Sequence, residues 1–304
     1  MSHDRNPGDE PRTGTKSMNR EPGAERGTGP GVITPDGCAV ELYRVLPAMG
    51  EPEVVHAAIP AGAAILELGA GAGRVTRRLV ALGHPVVAVD ESAEMLACVR
   101  GADAHRDGPG AGSTASISAG VASVGTDDHR DGPGADSTAS TSPGVAWVGA
   151  ETVRARIQDL DLGRRFEVVL LASFLVNTDD GDLRRRFLEA CRRHVGEGGC
   201  VLVQRHPPAW FDEAAEGERS SGGITFRLRD LSRPGPGLLA ATVEYQVGVR
   251  VWTQTFTAER VGDEDLEAAL GEAGLAVDAY LTRDGSWVQA VPVSRGRADG
   301  GSPR

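Results

Sequence analysis

The stretch Ala64-Ile65-Leu66-Glu67-Leu68-Gly69-Ala70-Gly71-Ala72-Gly73-Arg74-Val75 decides how this 304-residue chain reads. Its apolar start, Ala64–Leu68, predicts a buried strand, and 72–82 predicts the helix that strand feeds. Three glycines between them, Gly69, Gly71 and Gly73, permit a tight turn and leave backbone bare for a ligand. A second apolar run, Pro85–Val89, ends at Asp90, seventeen residues past Gly73. A carboxylate there can accept hydrogen bonds from both hydroxyls of a ribose. Either half is weak alone; strand, glycine turn, helix, strand and acid in this order make 62–97 a βαβ nucleoside-binding unit.

A dinucleotide site wants G-x-G-x-x-G, but its third glycine would stand where this chain has Arg74, and Glu67 stands where an apolar residue is usual. The pattern here is E-x-G-x-G-x-G. It resembles motif I of the class I S-adenosylmethionine (SAM) dependent methyltransferases, and Val89-Asp90-Glu91-Ser92-Ala93-Glu94-Met95-Leu96 resembles the same family's acidic motif. The resemblance implies SAM as cofactor. Gly69, Ala70, Gly71 and Gly73 would line its methionine end, Glu67 would lie near its ammonium, Asp90 would hold the ribose, and Glu91 and Met95 would flank the adenine. An acidic strand end suits a ligand that carries a sulfonium and an ammonium but no phosphate.

The resemblance runs from about Ile33 to Val293. Ile157–Asn177 looks like the family's third and fourth strands, with two departures. Arg156 stands where an aspartate near the adenine is frequent, which shifts the expected adenine contacts to Ile157 and Gln158, with Ala172 at the end of the fourth strand. Phe166-Glu167 replaces the usual Phe-Asp. Methyl transfer from a sulfonium needs an oriented acceptor and an excluded solvent. The acceptor residues are therefore expected beyond strands four and five and in the N-terminal lid: Ser173, Asn177 and Arg205 for binding, His206 as general base, Tyr43 closing over the cofactor. The plainer alternatives are a loop histidine bonded to backbone, a packed helix tyrosine, and an Asn177 that caps the next helix. Trp210 and Phe211 would wall an acceptor pocket or anchor the loop.

Around this unit strands and helices alternate: 92–100 helix, 152–157 strand, Phe166–Leu171 strand, Asp180–Val195 helix, Cys200–Gln204 strand. Continuous apolar strands of this kind predict a parallel, Rossmann-like α/β sheet with helices on both faces. Thr242–Thr257 differs. It alternates, with Val243, Tyr245, Val247, Val249 and Val251 on one face, as half-buried antiparallel strands do. An antiparallel β cap over 212–259, between strand five and the helix at Asp263–Ala273, is the expectation, and it resembles the caps of glycine- and sarcosine-type N-methyltransferases. Strands at Ala276–Leu281 and Trp287–Val293 follow, joined through the hairpin signal Asp284-Gly285. Upstream, Thr34-Pro35 predicts the start of a helix running to Leu46.

Two stretches lack apolar periodicity. Residues 1–30, and the last ten, 295–304, predict disordered tails flanking a domain over 31–294. Residues 102–125 and 126–149 match at 18 of 24 positions, a duplicated Gly/Ser/Pro-rich insertion. Excising both copies restores an ordinary helix-to-strand connection. Four well-separated cysteines without metal-ligand spacing predict neutral thiols and no metal site. A net charge of −11 argues against a nucleic-acid partner. The longest apolar run is too short for a bilayer and the N-terminus lacks an apolar signal, so a cytoplasmic protein is expected. The function these readings predict is transfer of a methyl group from SAM to nitrogen or oxygen of a small-molecule acceptor. A non-catalytic SAM-fold binding protein is the alternative, and an NAD-dependent oxidoreductase is disfavoured by Arg74.

Overall fold

The computed structural model describes residues 26–101 and 149–293. Most of the twelve strands fall in a seven-stranded sheet built from β2 (Ile65–Leu68), β3 (Val86–Asp90), β4 (Glu151–Arg154), β5 (Phe166–Leu171), β6 (Val195–Gln204), β11 (Leu275–Tyr280) and β12 (Trp287–Pro292). Their spatial order is β11-β12-β6-β5-β2-β3-β4. The pairs of β2 with β3 and β5, β3 with β4, and β5 with β6 are parallel. β12 lies antiparallel to both β6 and β11, so it alone runs against the rest.

Side-chain alternation along each strand divides the core between two faces. Leu66, Leu68, Val169, Leu171, Val201 and Val203 pack on α5 (Gly181–His194) and α7 (Asp263–Glu272), through Leu188, Leu266 and Leu270. Ile65, Val168, Leu170 and Leu202 pack on α2 (Glu51–Ala58) and α3 (Arg74–Ala81), through Val55, Val75 and Leu79. α4 (Ala93–Arg100) covers Ala88 with Leu96 and Val99. Each of these fully buried aliphatic side chains contributes roughly 1.5–3 kcal/mol of transfer free energy.

The strand order proceeds outward from β2 in both directions, through β3 and β4 on one side and β5 and β6 on the other. Connections therefore part above the carboxyl ends of β2 and β5 and leave a crevice there. Over that edge lies a second, antiparallel sheet in the order β1-β10-β9-β8-β7, made of β1 (Arg26–Thr28), β7 (Gly217–Ser221), β8 (Ile224–Ser232), β9 (Leu238–Val247) and β10 (Arg250–Glu259).

Several expectations need correction. Residues 26–28 are not tail but an edge strand, paired with Thr253–Thr255. The alternating Thr242–Thr257 run is two strands, because Val247 opposes Arg250 and Gly248-Val249 forms the turn. Val249 is accordingly 99% exposed and belongs to neither face. The first helix, α1 (Val40–Val45), starts six residues later than Thr34 suggested. The Thr34 hydroxyl instead meets the backbone of Cys38, closing a turn before the helix. The predicted 152–157 strand ends at Arg154, and a 3-10 turn follows at Ile157–Asp159. α2 had no sequence expectation at all. The expected disorder at 1–25 and 295–304 and the duplication across 102–148 lie outside the described residues.

No helix among the described residues is long and apolar enough to cross a membrane. The four cysteines are free thiols, and burial pushes Cys191 up to about 12 and Cys200 up to about 11.

Candidate functional site

At the carboxyl end of β2 the chain turns through Gly69, Gly71 and Gly73 with φ of 71°, 55° and 81°. Side chains would be strained in this left-handed region. A Cβ at Gly69 would also fall 2.7 Å from the Leu175 side chain, and one at Gly73 would fall 2.9 Å from Val99. At Gly71 the only neighbour is the Tyr43 ring, 3.8 Å away. The turn thus presents bare backbone beneath a tyrosine.

Asp90 closes the other wall. Its Oδ2 accepts the Gly71 amide at 2.8 Å and its Oδ1 accepts the Ser92 amide at 2.9 Å. Burial raises its pKa, and these two donated hydrogen bonds oppose the rise. A carboxylate has about four acceptor positions, so both oxygens keep capacity for ribose hydroxyls. Ser92 caps α4 through the Met95 amide. That places the buried Met95 against Ala72 and Val40, close to the glycine turn.

Glu67 points from β2 toward α3, where its Oε2 accepts the Thr76 hydroxyl at 2.6 Å. Burial pushes its carboxyl up to about 7, against the pull of Thr76 and Arg74. A cation brought beside it would favour its charged form. Arg74 is held at 2.5 Å by Glu51, whose other oxygen takes the Met49 amide at 2.5 Å. This buried pair fixes α2 to the start of α3.

On the adenine side, Ile157 is buried 3.7 Å from the Gly69 Cβ position. Gln158 is half-buried and makes no hydrogen bond among the described residues. Glu91 is exposed and pairs with Arg156 at 3.5 Å. The arginine that stands in place of the expected aspartate therefore engages the neighbouring acid.

Beyond β5, Ala172 is buried and the next two residues both take positive φ, Ser173 at 57° and Phe174 at 60°. Two successive non-glycine residues in this region store strain of order 1–3 kcal/mol each. The Gln204 side chain accepts the Ser173 amide at 2.8 Å and helps impose the turn. The turn lays Phe174 on the His206 ring, 4.0 Å between centroids and 6° from parallel. Trp210 covers the opposite face at 4.1 Å. Between the two rings, His206 is driven by burial down to about 3, and its Nδ1 has no hydrogen-bond partner among the described residues. It is a neutral imidazole shut between aromatic walls, not a solvated base.

Two expected acceptor residues are committed elsewhere. Arg205 is completely buried and donates to the carbonyls of Val261 and Gly285, each at 2.8 Å, and to the Asp263 carboxylate. It clamps the end of β6 to α7 and to the β11–β12 turn, which turns it away from any acceptor. Asn177 uses both halves of its amide: Oδ1 accepts the His206 amide at 2.8 Å, and Nδ2 donates to the Glu259 carbonyl at 2.9 Å. It caps nothing; Asp180 caps α5. Ser173 remains exposed, 3.5 Å from Arg74.

The second sheet faces the same crevice. Tyr43 donates its hydroxyl to Gln254 at 3.1 Å, which joins α1, the glycine turn and β10. Register puts Arg219, Phe226, Tyr245 and Trp252 opposite one another on the inner face. None of Phe174, Arg219, Tyr245 or Gln254 was singled out from sequence as a site residue, since each reaches the crevice only through strand pairing or a strained turn. Of the two roles foreseen for Trp210 and Phe211, the packing is that of a loop anchor. They pack into the sheet against Leu228 and Leu239, and Trp210 stacks on His206.

No protein-family profile matches the sequence, and no curated protein matches it. Solved structures do. The CcbJ methyltransferase from Streptomyces caelestis is 19% identical, with 84% of this chain and 96% of that one covered and a TM-score of 0.56. A SAM-dependent methyltransferase from Clostridium acetobutylicum is 13% identical, covering 82% and 92%, TM-score 0.55. The SAM-bound amino pentose methyltransferase CalS10 from Micromonospora echinaspora is 17% identical, covering 83% and 95%, TM-score 0.54. The fold is that of the class I SAM-dependent methyltransferases.

Proposed function

We propose that the protein is a SAM-dependent methyltransferase that methylates nitrogen or oxygen of a small-molecule acceptor. One observation carries this reading. The bare Gly69–Gly73 backbone and the Asp90 carboxylate, hydrogen-bonded to each other, sit at the topological switch point of a sheet with this fold. When bound, SAM supplies an electrophilic methyl group on sulfur. The glycine amides are read as the cradle for its amino-acid end, Glu67 as the counter-charge to its ammonium, and Asp90 as the acceptor of its ribose hydroxyls. Met95, Glu91, Ile157 and Gln158 would hold the adenine, and Ala172 at the end of β5 would line the cofactor.

The remaining groups position the acceptor. Tyr43, tethered to Gln254, closes the crevice above Gly71 and excludes water. His206 stays neutral above a pH of about 3. It therefore serves as a hydrogen-bond acceptor that aims a nucleophilic N–H or O–H through its unpartnered Nδ1. Ser173, on the exposed rim of that turn, is the nearer polar contact. The likeness to CalS10, an amino pentose methyltransferase, supports a small acceptor.

Calorimetric titration with SAM or S-adenosylhomocysteine (SAH) tests the reading. Binding is expected in the wild type and lost in Asp90→Ala and Gly71→Arg; absence of heat with either ligand in the wild type excludes it. Product mass spectrometry after incubation with SAM and small-molecule extracts separates an enzyme from a protein that only binds the cofactor.

A further inference from the structure

The second sheet carries arginines on both faces and treats them differently. On the outer face Arg227 is held by Glu218 at 2.5 Å, Glu244 at 2.6 Å and Gln246 at 2.9 Å. On the inner face Arg219 has no ion pair and no hydrogen bond among the described residues, and its Nε is buried without a partner. The Phe226 ring lies 5.0 Å from its guanidinium carbon. The strand-opposed Tyr245 also makes no hydrogen bond, although Cys38, Arg74 and Arg219 all lie near enough to act on its phenol. Arg74 opens the helix after the glycine turn, so Tyr245 lies within electrostatic reach of both that helix and Arg219.

A buried donor without an acceptor costs about 1–3 kcal/mol, and more when it is charged. The outer face shows that this sheet has carboxylates to offer, yet Glu218 and Glu244 point away from Arg219 on alternate positions. An inward cation left without a counter-ion, next to a free phenol and aromatic walls, fits a ligand that brings its own anion. Nε with one terminal nitrogen forms the fork that receives a carboxylate in a bidentate pair. Phe226 and Tyr245, 5.6 Å apart between ring centroids, supply flat apolar surface on the strands beside it.

We infer that the methyl acceptor is an aromatic carboxylate, whose carboxylate is held by Arg219 and the Tyr245 hydroxyl on the inner face of the second sheet. This rests on the methyltransferase reading for the role of the ligand, but the anion site itself can be tested apart from it. The full chain, saturated with SAH, is heated in the presence of benzoate or indole-3-acetate, of benzamide or indole-3-acetamide, and of phenyl phosphate. Either carboxylate is expected to raise the melting temperature, with little response to its neutral amide. Arg219→Gln is expected to weaken the carboxylate response at least tenfold while SAH binding is retained, with Arg219→Lys and Tyr245→Phe intermediate.

Equal stabilisation by acid and amide, an undiminished carboxylate response in Arg219→Gln, or no response to either acid overturns the inference. A response confined to phenyl phosphate overturns the carboxylate assignment. If SAH fails to bind but the carboxylate response depends on Arg219, the anion site stands and the methyltransferase reading fails. A cooperative melting transition in each variant, without added ligand, reports that it has folded.

Discussion

Two buried titratable side chains oppose each other in their effect on stability. Glu67 has its folded pKa raised from 4.5 to about 7 by burial. Its contribution is therefore fully present below pH 4.5 and lost as pH rises through 7, a swing on the order of 3 kcal/mol. A glutamine keeps an oxygen for the Thr76 hydroxyl and carries no charge. Glu67→Gln is thus expected to stabilise the protein at pH 8, by urea denaturation, and to weaken SAM binding by calorimetry, a trade of stability for function. His206 behaves inversely. Its folded pKa is lowered from 6.5 to about 3, so its contribution holds above pH 6.5 and is lost as pH falls toward 3. His206→Phe keeps a ring between Phe174 and Trp210 and removes the unpartnered Nδ1. Stability at pH 7 is expected to rise by about 1 kcal/mol and the acid limb of the stability profile to flatten, while methyl transfer drops. A pH–rate profile of the wild type with a limb near 6.5 assigned to His206 would contradict its neutral, positioning role.

At the scale of elements, the glycine turn and the β6 clamp make separable predictions. Gly73→Ala must place a Cβ at φ 81° and 2.9 Å from Val99, whereas Gly83→Ala meets open space at φ 93°. Both incur roughly 1–2 kcal/mol of left-handed strain. Gly73→Ala should lose more, because α4 has to shift, and should alone weaken SAH binding; equal losses in both would mean that α4 yields freely. Arg205→Met removes the buried guanidinium and strands the Val261 and Gly285 carbonyls, with an expected loss on the order of 3 kcal/mol and little change in SAH affinity. What could be read from sequence follows the same division. β2, α3 and β3 were legible because apolar runs, glycines and Asp90 are local signals. α1 was displaced because the Thr34 hydroxyl serves a turn at Cys38. α2 is eight residues long, and its anchor is the pairing of Glu51 with Arg74, which no periodicity encodes. β1 finds its partner more than two hundred residues away. Arg205 looked like a ligand for an acceptor because arginine beyond a buried strand can face a pocket; only the tertiary arrangement directs it to α7. The cofactor wall was written in one contiguous stretch, and the acceptor wall is assembled from strands whose pairing the sequence does not announce.

For the whole molecule, the question is whether the duplicated segment belongs to the fold. Its two ends are secured independently. α4 ends at Arg100, and Leu96 and Val99 hold it on Ala88 and Ala150. β4 begins at Glu151 and pairs along β3 from Val87 to Asp90. Across the gap Arg100 donates to the Thr152 hydroxyl at 2.8 Å, which brings the flanking residues within a few ångströms. Loop-closure entropy grows only logarithmically with length, so replacing 102–148 by a short glycine-serine bridge shortens a closed loop without asking either end to move. The hydrogen bonds described for Gly71, Asp90 and His206 in the crevice are made among the described residues. The shortened chain is therefore expected to keep SAH affinity within about twofold and to melt within a few degrees of the full chain, with a slight gain from the smaller loop. A collapse in melting temperature would make the duplication a structural part of the sheet edge. Retained melting and SAH binding with lost methyl transfer would instead assign it to acceptor capture.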